Sequence, residues 1–161
     1  MKTLHFVRHA KSSWKYDFTD KDRPLKTRGS NDARLVAEKY NSYNIIPDRV
    51  FSSTAVRARE TCNIFTNILK IPSSSVEFHD SLYDFGGSNV LRFIKEVDDS
   101  YNNVMLFGHN HAFTHLANAL GSELIENLPT SGVVVMQFDI ENWSDINKGQ
   151  TLHTIFPRDL K

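Results

Sequence analysis

Short apolar runs that stop abruptly at polar clusters, each followed by helical spacing, constrain this chain more than any other feature. Leu4 to Val7 ends at Arg8-His9, Arg49 to Phe51 stops at Ser52-Ser53, and Asn103 to Phe107 runs into Gly108-His109. Leu25 to Tyr43 places Ala33, Val36, Ala37 and Tyr40 at helical intervals, and Ala55 to Leu69 does the same with Ala58, Cys62, Phe65 and Leu69. Asn89 to Val97 and Ala112 to Leu120 read as further helices, while Val76 to Phe78, Gly132 to Phe138 and Leu152 to Phe156 read as strands. Strands separated by helices require crossover connections. The pattern therefore predicts an α/β fold of three layers, with a mostly parallel central sheet and helices on both faces. No repeat or linker interrupts it, and 161 residues suit a single domain spanning 1–161.

Charge narrows the partners. Nineteen Lys and Arg balance nineteen Asp and Glu, so no overall field draws the chain to nucleic acid or to an anionic membrane. The first apolar run is interrupted by Arg8, and no apolar stretch is long enough to span a bilayer. A cytoplasmic location is the default expectation. Cys62 is the only cysteine, which excludes an intrachain disulfide, and its helical spacing suggests a buried thiol.

In sheets of this kind ligands bind where the strand-to-helix loops gather, at the carboxyl ends of the strands. Three such ends carry Arg8-His9-Ala10-Lys11-Ser12, Ser52-Ser53 followed by Arg57, and Gly108-His109-Asn110. Two arginines and two histidines would then share one crevice. That set suits phosphoryl transfer. Guanidinium groups match phosphate oxygens as bidentate donors of permanent charge. A neutral imidazole is a competent nucleophile near pH 7, and a second, charged imidazole can donate to the oxygens. Gly108 would let backbone approach the ligand at the start of the following helix.

Arg8-His9-Ala10 resembles the first signature of the histidine phosphatase superfamily, the phosphoglycerate mutase-like fold. Ser52-Ser53 with Arg57-Ala58 and Thr61 resembles its second motif, and Gly108-His109 its third. The run from Arg8 to Trp14, with Asp22-Arg23-Pro24-Leu25 and Gly29, is similar to the short SixA-type phosphohistidine phosphatases. The resemblance implies a phosphatase without metal or organic cofactor. Its substrate would be a phosphoprotein, one bearing phosphohistidine included, or a small phosphate ester. His9 would be the transiently phosphorylated nucleophile, Arg8, Arg57 and His109 would hold the phosphoryl oxygens, and Ser12 and Asn110 would add contacts. In many members a carboxylate after the third strand protonates the leaving oxygen. Asp84, in Leu82-Tyr83-Asp84, stands at that place and reads equally as a solvated loop residue. Members acting on metabolites often carry insertions that roof the site, whereas Leu82 to Asn103 leaves room for about one helix.

Other readings compete. His109, His111 and His115 have zinc-like spacing, but two arginines beside a cation are unfavourable. A phosphate-binding module without turnover would need no nucleophile. A mutase would need insertions to retain its intermediate, and a dinucleotide enzyme would need a G-x-G-x-x-G after the first strand. Lys11, Lys15, Arg23, Lys26 and Arg28 form a basic stretch interrupted by Asp17, Asp20 and Asp22, which favours a solvated loop over a guiding rim.

Overall fold

The structure is a computed structural model that describes residues 1–161. Six strands form one sheet: β1 (Lys2–Arg8), β2 (Arg49–Ser53), β3 (Val76–His79), β4 (Asn103–Gly108), β5 (Val133–Phe138) and β6 (Gln150–Ile155), in the spatial order β3-β2-β4-β1-β5-β6. Four helices intervene: α1 (Thr27–Asn41), α2 (Val56–Leu69), α3 (Ser88–Lys95) and α4 (Ala112–Leu120). None is long and apolar enough to cross a membrane. Strands β3, β2, β4 and β1 pair in parallel, as the alternation of strand and helix predicts. Strand β5 departs from that pattern and runs antiparallel to both β1 and β6. After α4 has descended, residues 121–132 carry the chain back to the carboxyl end of the sheet. There Val133 pairs with Val7, and β5 can only run downward.

Alternation along the strands divides the core in two. Leu4 and Phe6 of β1, Val104 and Leu106 of β4, and Val134 and Met136 of β5 face α3 and α4. Val7, Met105, Phe107, Val133 and Val135 face α1 and α2 on the other side. Side chains buried this fully contribute roughly 1.5–3 kcal/mol each. Phe6 stacks on Phe113 of α4 at 4.5 Å. Gly108 makes room for that ring, since a Cβ there would stand 2.7 Å from Phe113 Cζ. Cys62 is buried among the α2 contacts, and burial pushes its thiol up to about 12. His5, also buried, bonds Asn103 and the Tyr40 hydroxyl, and desolvation brings its pKa down to about 4.

Helix α1 docks against the loop that follows β1. Lys26 N–H donates to the Lys11 carbonyl at 3.1 Å, Ser13 N–H donates to Pro24 O at 2.8 Å, and Ser12 bridges Leu25. Gly29 makes this approach possible, because a Cβ there would lie 2.2 Å from Lys11 O. Gly29→Ala is therefore expected to force the loop and helix apart and lower stability by about 1–3 kcal/mol. Urea denaturation would measure the loss, and an unchanged midpoint would refute this packing.

Candidate functional site

The three strand ends meet as predicted. Arg8 of β1 stands opposite Gly108 of β4, and Ser52 of β2 opposite Phe107 on the other side of β4. A cavity of about 350 Å³ opens at this level, walled by Arg8, His9, Lys11, Ser12, Asp20, Arg23, Lys26, Arg57, Asn110 and Thr130, with Trp14 and Phe85 as its apolar sides.

His9 is fixed as one tautomer. Its Nδ1 lies 2.7 Å from the Ala10 carbonyl, which can only accept, so Nδ1 carries the proton and Nε2 keeps its lone pair. Arg57 Nε–H donates to that Nε2 at 3.3 Å. Burial lowers the His9 pKa to about 3; the Ala10 carbonyl opposes the shift, and the charges of Arg57, Arg8 and Arg23 add to it. His9 is thus neutral at physiological pH.

Arg57 sits on the first turn of α2, almost wholly buried. Its Nη1 donates to the Asp20 carbonyl at 2.5 Å and its Nη2 to Asp20 Oδ2 at 3.0 Å. The Thr61 hydroxyl ties this turn to the His9 loop. It accepts Ala10 N–H at 2.9 Å and donates to the Arg57 carbonyl at 2.7 Å. Arg8 Nη1 donates to the Leu128 carbonyl at 2.8 Å, and burial followed by repulsion from Arg57 lowers its pKa.

His109 lies behind His9, with ring centroids 5.2 Å apart, and does not line the cavity wall. Ser53 Oγ accepts Ala55 N–H at 3.2 Å and is hydrogen-bonded to His109 Nε2 at 2.8 Å. The other ring nitrogen of His109, Nδ1, is buried without a partner. Burial, then the neighbouring His9, Arg57 and Arg8, bring the His109 pKa down to about 2. The expectation of a charged second imidazole is therefore corrected. It is held neutral by burial and by the neighbouring His9, Arg57 and Arg8.

Asp84 does not join the pocket. Its Oδ2 accepts the backbone N–H groups of Gly87, Asn89 and Val90 at 3.0–3.1 Å, and its Oδ1 accepts that of Gly86 at 3.2 Å. The carboxylate closes the amino end of α3, where exposed amides and the helix dipole favour negative charge. The carboxylate that does line the cavity is Asp20. Burial raises its pKa, but hydrogen bonds from Tyr83, Arg57 and Arg23 outweigh this and bring it down to about 2.

Ser12 and Asn110 both reach the cavity. Ser12 Oγ accepts Arg23 Nη1 at 2.6 Å, and Asn110 Oδ1 accepts both the amide and the hydroxyl of Thr114. The solvated-loop reading of the basic stretch fails for three of its members, since Lys11, Arg23 and Lys26 line the cavity. Arg23 is 6% exposed, donates to Asp20 Oδ1 at 3.1 Å, and stacks 3.5 Å from the centre of the Trp14 ring. Histidines 109, 111 and 115 do not converge, for His109 is buried on Ser53 whereas His111 and His115 face solvent. Asp20 and Thr130 were invisible as site residues in the sequence. The only signal for Asp20 was its place three residues before Arg23.

A model of the histidine phosphatase superfamily (branch 1) matches residues 4–90, more than half of the chain. This chain belongs to the histidine phosphatase superfamily. It is an enzyme of the phosphohydrolase class, and its substrates are phosphorylated compounds. An uncharacterised protein of Mycobacterium tuberculosis is 30% identical over 153 residues, covering 89% of this chain and 93% of that relative. An uncharacterised chloroplastic protein of Arabidopsis thaliana is 28% identical over 153 residues, covering 89% and 70%. The fold matches that of the protein histidine phosphatase SixA complexed with tungstate, with a TM-score of 0.80, 24% identity and 99% of each chain covered. It also matches mycobacterial glucosyl-3-phosphoglycerate phosphatase, with a TM-score of 0.67, 11% identity and 98% and 99% covered. The superfamily fold is thus shared, as the motifs implied.

Two expectations follow from the buried groups. Folding depresses the pKa of His5, His9 and His109, so the unfolded chain takes up protons first. Stability should be complete above about pH 6.5 and fall progressively below it; a urea midpoint that stayed flat from pH 7 to pH 4 would contradict this. Asp84→Ala should cost about 1–3 kcal/mol, because it strands buried amides of α3. Thermal unfolding would register that loss.

Proposed function

We propose that residues 1–161 act as one histidine phosphatase domain that hydrolyses phosphoproteins, phosphohistidine among their targets, through a covalent phosphohistidine on His9. The observation that carries this reading is the His9 tautomer. With Nδ1–H held by the Ala10 carbonyl, the Nε2 lone pair is unprotonated at neutral pH and stands beside Arg57. It attacks phosphorus while the bond to the leaving atom breaks. Water then attacks the phosphohistidine, the P–Nε2 bond breaks, and inorganic phosphate leaves with His9 restored. Arg8 and Arg57, which line the cavity, hold the oxygens. Buried and unpartnered Arg8 Nε and Arg23 Nε are donors that an oxyanion would satisfy. SixA, of the same fold, is complexed with tungstate.

The substrate reading rests on the leaving group. Asp20, the carboxylate that lines the cavity, is held ionised by its neighbours, and Asp84 caps α3 outside the cavity. A phosphoramidate nitrogen can already carry its proton, whereas an alkoxide needs a donor. Trp14, Tyr16 and Phe18, 78%, 60% and 44% exposed, lie on the segment between the cavity residues Ser12 and Asp20. Large exposed aromatics around a pocket favour a protein surface over a small solute.

The parent enzyme is expected to turn over a phosphohistidine-bearing protein and p-nitrophenyl phosphate in the presence of chelator. Glycerol phosphate should react at least about 100-fold more slowly than either, the deficit of missing acid catalysis. His9→Ala should lose about 1,000-fold or more in kcat. Equal rates on aryl and alkyl phosphates would reveal a proton donor and defeat the substrate argument. Activity surviving in His9→Ala would remove the assigned nucleophile.

A further inference from the structure

Beside the catalytic pocket lies a second cavity, of about 390 Å³, that the proposed reaction leaves unused. Lys11 and Thr130 form a wall common to both. Arg28, Arg158 and Lys161 line the rest, with Asp32 as the only acid. They come from separate parts of the chain: the first turn of α1, the loop after β1, and the segment after β6. The close packing at Gly29 holds the backbone next to Arg28 against the Lys11 loop.

The charges here are poorly compensated. Lys161 Nζ lies 2.9 Å from Asp32 Oδ1, so that pair is neutral as a unit. The acid nearest Arg158 is Asp159 at 3.8 Å, and with side chains 76% and 65% exposed the contact contributes little. Lys11 and Arg28 have no acidic partner. Together the two cavities gather eight of the 19 basic residues and only two of the 19 acidic ones, in a chain with no net charge. Solvation of a surface would disperse such charges. Their collection along one trough makes a local positive field that continues outward from the phosphoryl site.

We propose that the second cavity is an anion subsite, which receives a further phosphate or carboxylate of the same substrate whose phosphoryl group meets His9. This rests on the phosphatase reading and narrows it to doubly anionic substrates. The second anion is carried either by an acidic side chain next to the phosphorylated residue of a protein or by a small bisphosphorylated molecule. The subsite takes no part in bond breaking. Its contribution is made equally in ground and transition states, so it lowers KM and leaves kcat alone.

The test uses Arg28→Gln/Arg158→Gln, which leaves every catalytic-pocket residue in place. Binding is measured first, by calorimetry in a His9→Ala background, with inorganic tripolyphosphate and orthophosphate as probes. Tripolyphosphate should bind more tightly than orthophosphate, and the double substitution should remove about tenfold of its affinity. Orthophosphate affinity should change by less than about twofold. Equal loss for both probes, or none, overturns the subsite. This arm needs no turnover, so it stands even if the phosphatase reading fails on p-nitrophenyl phosphate. In the active background, the substitution should raise KM for an aspartate-flanked phosphopeptide or for a small bisphosphate, with kcat and p-nitrophenyl phosphate kinetics unchanged. The substrate affected identifies the source of the second anion, and no rise in either overturns the proposal.

Discussion

Parallel pairing of β4 with β1 on one side and β2 on the other holds three loop-forming strand ends at one level. The register from Thr3–Asn103 to Arg8–Gly108 brings His9 and His109 next to each other, and the pairing Ser52–Phe107 adds Ser53 beside them. A slip of one residue would turn Val7 and Phe107 out of one core layer and Phe6 and Leu106 out of the other. The apolar faces therefore enforce the position of the polar ends. The Thr61 hydroxyl completes the arrangement by joining the His9 loop to the turn that carries Arg57.

Several cationic groups are brought close together by this geometry, and the site tolerates them in two ways. Its imidazoles stay neutral, His9 near 3 and His109 near 2, so they add no charge to the arginines. Asp20 supplies the negative charge, bonded to Arg57 and Arg23 at once. The same burial that suppresses imidazolium leaves the His9 lone pair available.

Much of the site was legible in the sequence because strand ends are. Arg8, His9, Arg57 and His109 each follow an apolar run or open a helix, and local pattern suffices to bring them together. The place of Asp84 was not legible, because a carboxylate at a loop looks the same whether it faces a ligand or the amides of α3; only the three-dimensional path decides. Asp20 and Arg23 were hidden for a related reason. They lie in a mixed-charge loop, and alternating signs along the chain suggest cancellation, whereas folding sends them into one cavity. The reversal of β5 was equally non-local, since nothing in Val133 to Phe138 records the return of residues 121–132 to the top of the sheet.

The Asp20 clasp changes the kinetic character of the pocket. A phosphoryl group reaching Arg57 and Arg23 meets sites already occupied by a tethered carboxylate, so loading is an exchange of one anion for another. After hydrolysis the exchange runs backward, and the carboxylate, covalently linked and always at high local concentration, competes with the departing inorganic phosphate. Such a tether weakens the hold on substrate and product alike, and a product held weakly dissociates quickly.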